Sequence, residues 1–169
     1  QSDGGMTVAD FLQLDFDTHQ ALTRLYADYA HALDSADWDR WPGFFTERCL
    51  YQVQPRENHE RGFALATLSF DSQAMLRDRI YAIRETLFHD PYYQRHVLGL
   101  PRVLAVADGE VRCETNYAVF RTKLSQESTV FNVGRYLDTV RRTPAGWRLA
   151  ARECVYDTEL IPNSLIYPI

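Results

Sequence analysis

From Arg95 onward apolar side chains recur at every second position, through VLAVA, VRCETNYAVF and the segments beyond, and this period constrains the fold more than any other feature. It predicts long strands over 96–107, 110–124, 129–142 and 146–157. Asp108-Gly109 separates the first two, and the cluster from Thr143 to Gly146 separates the last two; both are signals for a tight reversal. Neighbouring strands are therefore antiparallel. Strands this long coil and bend, so the sheet curves strongly and offers a concave face.

The first half of the chain supplies what that face can wrap. Leu22, Leu25, Tyr26, Tyr29 and Leu33 recur at three- and four-residue steps and predict a helix from about Thr18 to Leu33, with Asp17 and Gln20 as a capping box. A short second helix is predicted over ADWDRWPGFF, Ala36 to Phe45. A third begins after Asp71 as N-cap, places Leu76, Ile80, Ile83 and Leu87 on one face, and ends near His89 because Asp90-Pro91 forbids continuation. Two shorter strands near 49–54 and 63–68 complete the edge of the sheet. The architecture is α+β: a strongly curved, mainly antiparallel sheet wrapped around N-terminal helices, a half-open cone with an apolar mouth. No linker or repeat divides the 169 residues, so they read as one domain, with 1–15 as a flexible lead.

Composition excludes several functions. The net charge is −5 and the arginines are scattered, so no basic stripe matches a phosphate backbone and nucleic acid is not a partner. No apolar run approaches the roughly 20 residues that span a bilayer, and no basic-then-apolar signal opens the sequence, which predicts no membrane partner and a cytoplasmic location. Cys49, Cys113 and Cys154 lie far apart, as reduced, buried thiols would. Neither H-x-x-x-H nor H-x-H occurs among His19, His31, His59, His89 and His96, and no cysteine lies near a histidine, so neither a metal site nor a Rieske cluster is predicted in this chain. Hydrolase, dinucleotide and phosphate-loop motifs are also missing.

What remains is a loose constellation. Tyr29, His31, Asp34 and Asp37 lie near the end of the first helix, and His96 opens a strand. Across an apolar cone, the carboxylate of Asp34 and the imidazole of His96 could serve as acid and base on a small substrate, as in a free-standing dehydratase or isomerase. Both also have structural readings, as a helix-end interaction and a hydrogen-bonded framework histidine. Trp38, Trp41, Phe44 and Phe45 read first as core, and second as a ligand wall.

In order, DFDTHQALTRLYADYAHALDSADWDRWPGFF, LYQVQPREN, DRIYAIRETLFHDPYYQRHVLG, NYAVFRT and VYDTELIPNSLIYPI resemble the small (β) subunit of aromatic-ring-hydroxylating dioxygenases over nearly the whole chain. The resemblance implies the cystatin-like cone shared with nuclear transport factor, ketosteroid isomerase and scytalone dehydratase. It implies a non-catalytic subunit without a cofactor of its own, the Rieske 2Fe-2S cluster and mononuclear iron residing on a large (α) subunit. It implies three copies of this chain assembling as a trimer with three large subunits into an α3β3 hexamer acting on an aromatic ring.

The end of the chain fits such an assembly. After Glu159 the last ten residues carry no charged side chain. Burying Leu160, Ile161, Leu165, Ile166 and Ile169 is worth about 1.5–3 kcal/mol apiece, which a free tail would forgo. Pro162 and Pro168 oppose a central strand and fit an extended strap. Leu160, Ile161, Leu165, Ile166, Tyr167 and Ile169 are therefore predicted at a subunit interface, with packing on the chain's own sheet as the alternative.

Overall fold

The computed structural model of the chain describes residues 13–62, 66–85, 91–158 and 167–169. Helix α1 runs Phe16–Asp34 and buries Leu22, Leu25, Tyr26, Tyr29, Ala32 and Leu33, the stripe that the sequence spacing lays on one face. Its cap is Asp15, whose carboxylate accepts the Thr18 amide at 2.6 Å; Asp17 instead sits inside the first turn, where its charge complements the helix dipole. Leu14 packs against the core, so the expected lead of residues 1–15 already carries structure at its end. The helix stops at Ser35 and Ala36, the latter at φ 56°.

The segment Trp38–Phe44 forms a 3-10 helix rather than an α-helix, with Pro42 inside it. Proline has no amide to donate back along an α-helix, and the tighter turn still delivers Trp38, Trp41 and Phe44 to the interior. Strand β1 (Phe45–Pro55) follows directly, then the short helix α2 (Arg56–Glu60) and strand β2 (Leu68–Phe70). Helix α3 (Gln73–Glu85) buries Leu76, Ile80 and Ile83. Ser72, one residue beyond Asp71, caps it through its Oγ, which accepts the Met75 amide at 3.2 Å. Leu87 and His89 lie outside the described residues.

Strands β3 (Tyr92–Leu98), β4 (Arg102–Ala107), β5 (Glu110–Lys123), β6 (Thr129–Thr143) and β7 (Gly146–Tyr156) complete the sheet. The predicted strand 96–107 is two strands, both paired with β5, because Gly99-Leu100-Pro101 interrupts the ladder and Pro101 has no amide to contribute. The Asp108-Gly109 turn forms as predicted, with Gly109 at φ 70°, as does the second turn at Thr143–Gly146. Among the described residues the sheet has seven strands in the order β2-β1-β7-β6-β5-β3, with β4 also on β5. Every pairing is antiparallel except β1 with β7, which is parallel. Strand β1 is therefore interior to the sheet and not an edge piece as expected. Its neighbour lies about a hundred positions later, a distance that local patterns do not register.

The core lies between α1, the 3-10 helix, α3 and the inner face of the sheet. It is built from rings: Trp41, Tyr29, Tyr51, Phe45 and Tyr136 are fully buried and meet largely edge to face.

Candidate functional site

Asp34 and His96 come together, though 62 positions separate them. Asp34 is the last residue of α1, and His96 sits on β3, an end strand of the sheet. The His96 amide donates to both carboxylate oxygens at 3.0 Å, and the ring Nδ1 lies 2.6 Å from Oδ1. A carboxylate is an acceptor, so Nδ1 carries the proton. Asp34 thus satisfies a backbone donor that an end strand would otherwise leave bare, and latches α1 to the sheet.

The pair has the chemical make-up of a general base and its orienting carboxylate, but no access. The His96 side chain is 0% exposed and that of Asp34 10%, and Nε2 is buried without a hydrogen-bond partner. His31 and Asp37 remain at the surface and do not join it. His59 pairs with Gln54, 2.9 Å from Nδ1 to Nε2.

The deepest charges were not singled out from the sequence. Arg152 donates to Asp138 through Nε at 2.9 Å and Nη2 at 2.7 Å, both side chains being 0% exposed. The guanidinium lies 3.8 Å from the ring centre of Tyr136, 4.3 Å from Tyr29 and 5.0 Å from Tyr26. Tyr26 donates to the same carboxylate oxygen as Arg152 Nη2, Oη to Asp138 Oδ2 at 2.6 Å. Burial alone would ease the proton off Arg152, but the Asp138 charge, its hydrogen bonds and the neighbouring Tyr29 and Tyr136 together outweigh it and hold the guanidinium firmly charged. Burial drives the Tyr26, Tyr29, Tyr51 and Tyr136 hydroxyls up, so all four stay protonated, and the first three donate to Asp138 or Ile169. A readable signal did exist: Asp138 and Arg152 occupy the buried parity of β6 and β7, between Tyr136 and Val140 and beside Cys154.

Tyr167 and Ile169, predicted at a subunit boundary, lie inside the chain itself. They are 8% and 0% exposed. Tyr167 packs on Trp38 and Tyr92, with ring centres 4.8 and 4.5 Å apart. The Ile169 carbonyl accepts from Tyr29 Oη at 2.9 Å and Tyr51 Oη at 3.0 Å, and its amide donates to Tyr51 Oη at 3.0 Å. Aromatic rings and polar partners within the cone offer these residues more than a surface strap would. Leu160, Ile161, Leu165 and Ile166 lie outside the described residues. Trp38, Trp41, Phe44 and Phe45 are core, as first read.

Among the described residues the donor set does not fit a Rieske cluster or a mononuclear iron. Cys49, Cys113 and Cys154 stand on three strands, and burial pushes the first two thiols up to about 11 and the third further, away from the thiolate a metal needs. Nδ1 of His96 is committed to Asp34. Among the described residues no three His, Cys, Asp or Glu side chains converge.

Comparison with known proteins places this geometry. Residues 29–163 match the family "Ring hydroxylating beta subunit". The chain is 36% identical over 155 residues to the small subunit of anthranilate 1,2-dioxygenase from Burkholderia cepacia, covering 92% of this chain and 96% of that one. Among solved structures it is similar to a beta subunit assigned to an aromatic-ring-hydroxylating dioxygenase of Novosphingobium aromaticivorans DSM 12444, with TM-score 0.83, 34% identity, and 90% and 97% of the two chains covered. An NTF2-like protein with a cystatin-like fold from Novosphingobium aromaticivorans shares the fold at TM-score 0.62 and 24% identity, over 88% and 85% of the chains. The cone, its filled interior and a match spanning most of the chain lead to one assignment: this protein belongs to the family of ring-hydroxylating dioxygenase beta subunits.

Proposed function

We propose that the chain is the non-catalytic small subunit of an aromatic-ring-hydroxylating dioxygenase, supporting an iron-bearing large subunit in an α3β3 hexamer built around a trimer of this chain. The observation that carries the reading is the near end-to-end similarity to a small subunit of anthranilate 1,2-dioxygenase. On this reading the Rieske cluster and mononuclear iron are held by the large subunit, and the substrate is an aromatic ring bearing a carboxylate. The enclosure of Asp34 and His96 supports a framework role for them over that of a dehydratase or isomerase pair.

The outer face of the sheet supports association. Tyr93, Val97 and Val130 are exposed, and the ladder aligns Val97 with Ala118 and Ala118 with Val133 in one apolar row. Leu160, Ile161, Leu165 and Ile166 form the proposed strap to a neighbouring subunit, and Tyr167 and Ile169 anchor its far end within the cone.

Co-expression with a cognate large subunit tests the proposal. Equal amounts of the two chains should co-purify as one hexamer, and O2 uptake should depend on both chains and on an aromatic acid such as anthranilate. A large subunit that assembles and turns over fully without this chain would overturn it.

A further inference from the structure

Arg152 has more hydrogen-bonding capacity than Asp138 can use. A guanidinium presents its N–H donors in one fixed plane, and with Nε and Nη2 committed to the two carboxylate oxygens, Nη1 is left on the edge that faces away from Asp138. Nη1 is buried and has no partner in the chain. The hydroxyl of Tyr136 is in the same condition, fully buried with Oη unpartnered. Such groups are exceptions in folded proteins, and each calls for a physical account.

The two groups are neighbours that cannot satisfy each other. Tyr136 and Asp138 face Cys154 and Arg152 on alternate rungs of the β6–β7 ladder, and the Tyr136 ring centre lies 3.8 Å from the Arg152 guanidinium carbon. A cation over a ring face sits above the ring plane, whereas the phenol oxygen lies in that plane, beyond the ring edge. That geometry suits one bridging water rather than a direct bond. Tyr29, from α1, supplies a third contact. Its Oη donates to the Ile169 backbone oxygen at 2.9 Å and accepts from Trp41 Nε1 at 3.1 Å, which leaves one lone pair free. Burial raises the Tyr29 and Tyr136 hydroxyls, and the Arg152 charge opposes that rise at both.

We propose that Arg152 Nη1, Tyr136 Oη and Tyr29 Oη bind one internal water molecule, which accepts from the first two and donates to the third. A buried water makes about three hydrogen bonds, so this set completes its usual complement. Asp138 already balances the guanidinium, which disfavours an anion, and the guanidinium repels a cation. Ring centres of Tyr29 and Tyr26 at 4.3 and 5.0 Å from the guanidinium favour a guest of one heavy atom. The water joins α1, β6 and β7 at a single point and calls for no partner subunit.

Two measurements on the full chain test the site. Crystals grown in bromide, at a resolution that shows ordered solvent, should carry one peak within hydrogen-bond distance of the three atoms and no anomalous bromine signal there. Bromide at that position, a direct Nη1–Oη bond, or no peak among well-ordered side chains would each overturn the proposal. The second is Tyr136→Phe, which keeps the ring over the guanidinium and removes only the hydroxyl. Loss of one buried hydrogen bond should lower the melting temperature by about 2–4 °C, and the solvent peak should weaken or vanish in crystals of the variant. A hydroxyl that binds nothing predicts the opposite sign, because its removal relieves the core of a stranded polar group. A Tyr136→Phe chain as stable as its parent, or more so, would refute the water.

Discussion

Arg152 and Asp138 have given up water on every side, so their mutual bond and the surrounding rings must replace it. Removing one partner leaves the other charged and stranded. Asp138→Ala is accordingly expected to cost about 3–5 kcal/mol in denaturant unfolding, while the double change Asp138→Leu with Arg152→Met should recover most of that loss. A single variant no weaker than a surface substitution would show that the pair does not hold the cone together. The same logic explains why the pair escaped sequence reading. Its residue types are ordinarily exposed, and only their parity within a strand reveals where they point.

Among the elements, β6 and β7 depend on one missing side chain. A Cβ on Gly134 would lie 2.1 Å from the Val155 carbonyl oxygen and 2.7 Å from the Tyr156 Cα, both backbone atoms that cannot rotate away. Gly134→Ala should therefore separate the two strands locally, at a cost of at least the ~1–3 kcal/mol typical of overpacking. Melting temperature and amide exchange across the Gly134–Tyr156 register would report it, and a variant as stable as its parent would contradict the geometry. Elements set by periodicity were legible: α1, α3 and the Asp108-Gly109 hairpin follow from apolar spacing and turn chemistry. The break at Gly99-Leu100-Pro101 was also written in the residues but outweighed by the alternation around it. The parallel seat of β1 was not, because strand pairing across the chain leaves no local mark.

For the whole molecule the question is where chemistry resides. If Asp34 and His96 only latch α1 to β3, then Asp34→Ala and His96→Ala should leave turnover per assembled hexamer unchanged. Each should lower stability by about 1–3 kcal/mol, because buried donors lose their acceptor or the acceptor its donors. Thermal melts and O2 uptake normalised to hexamer separate the two effects. A fall in turnover by orders of magnitude at full assembly and iron content would return the pair to catalysis. The juxtaposition of these residues was legible as a possibility from a helix end and a strand start. Their enclosure was not, since it depends on the closing of the cone. Tyr167 and Ile169 posed the converse problem: their need for cover was plain in the sequence, but that their own chain supplies it turned on rings scattered from Tyr29 to Tyr92.

The parallel pairing of β1 with β7 also sets an order of events during synthesis. Antiparallel neighbours can zip from short turns, but β1 finds its partner only after about a hundred further residues have been made, and closing so long a loop is entropically slow. Until β7 leaves the ribosome, β1 and the 3-10 helix that leads into it have no strand joining them to the rest of the sheet. The nascent chain therefore passes through an interval with much of its future interior open to solvent, in which chaperones or an early-arriving subunit would have the greatest effect on yield.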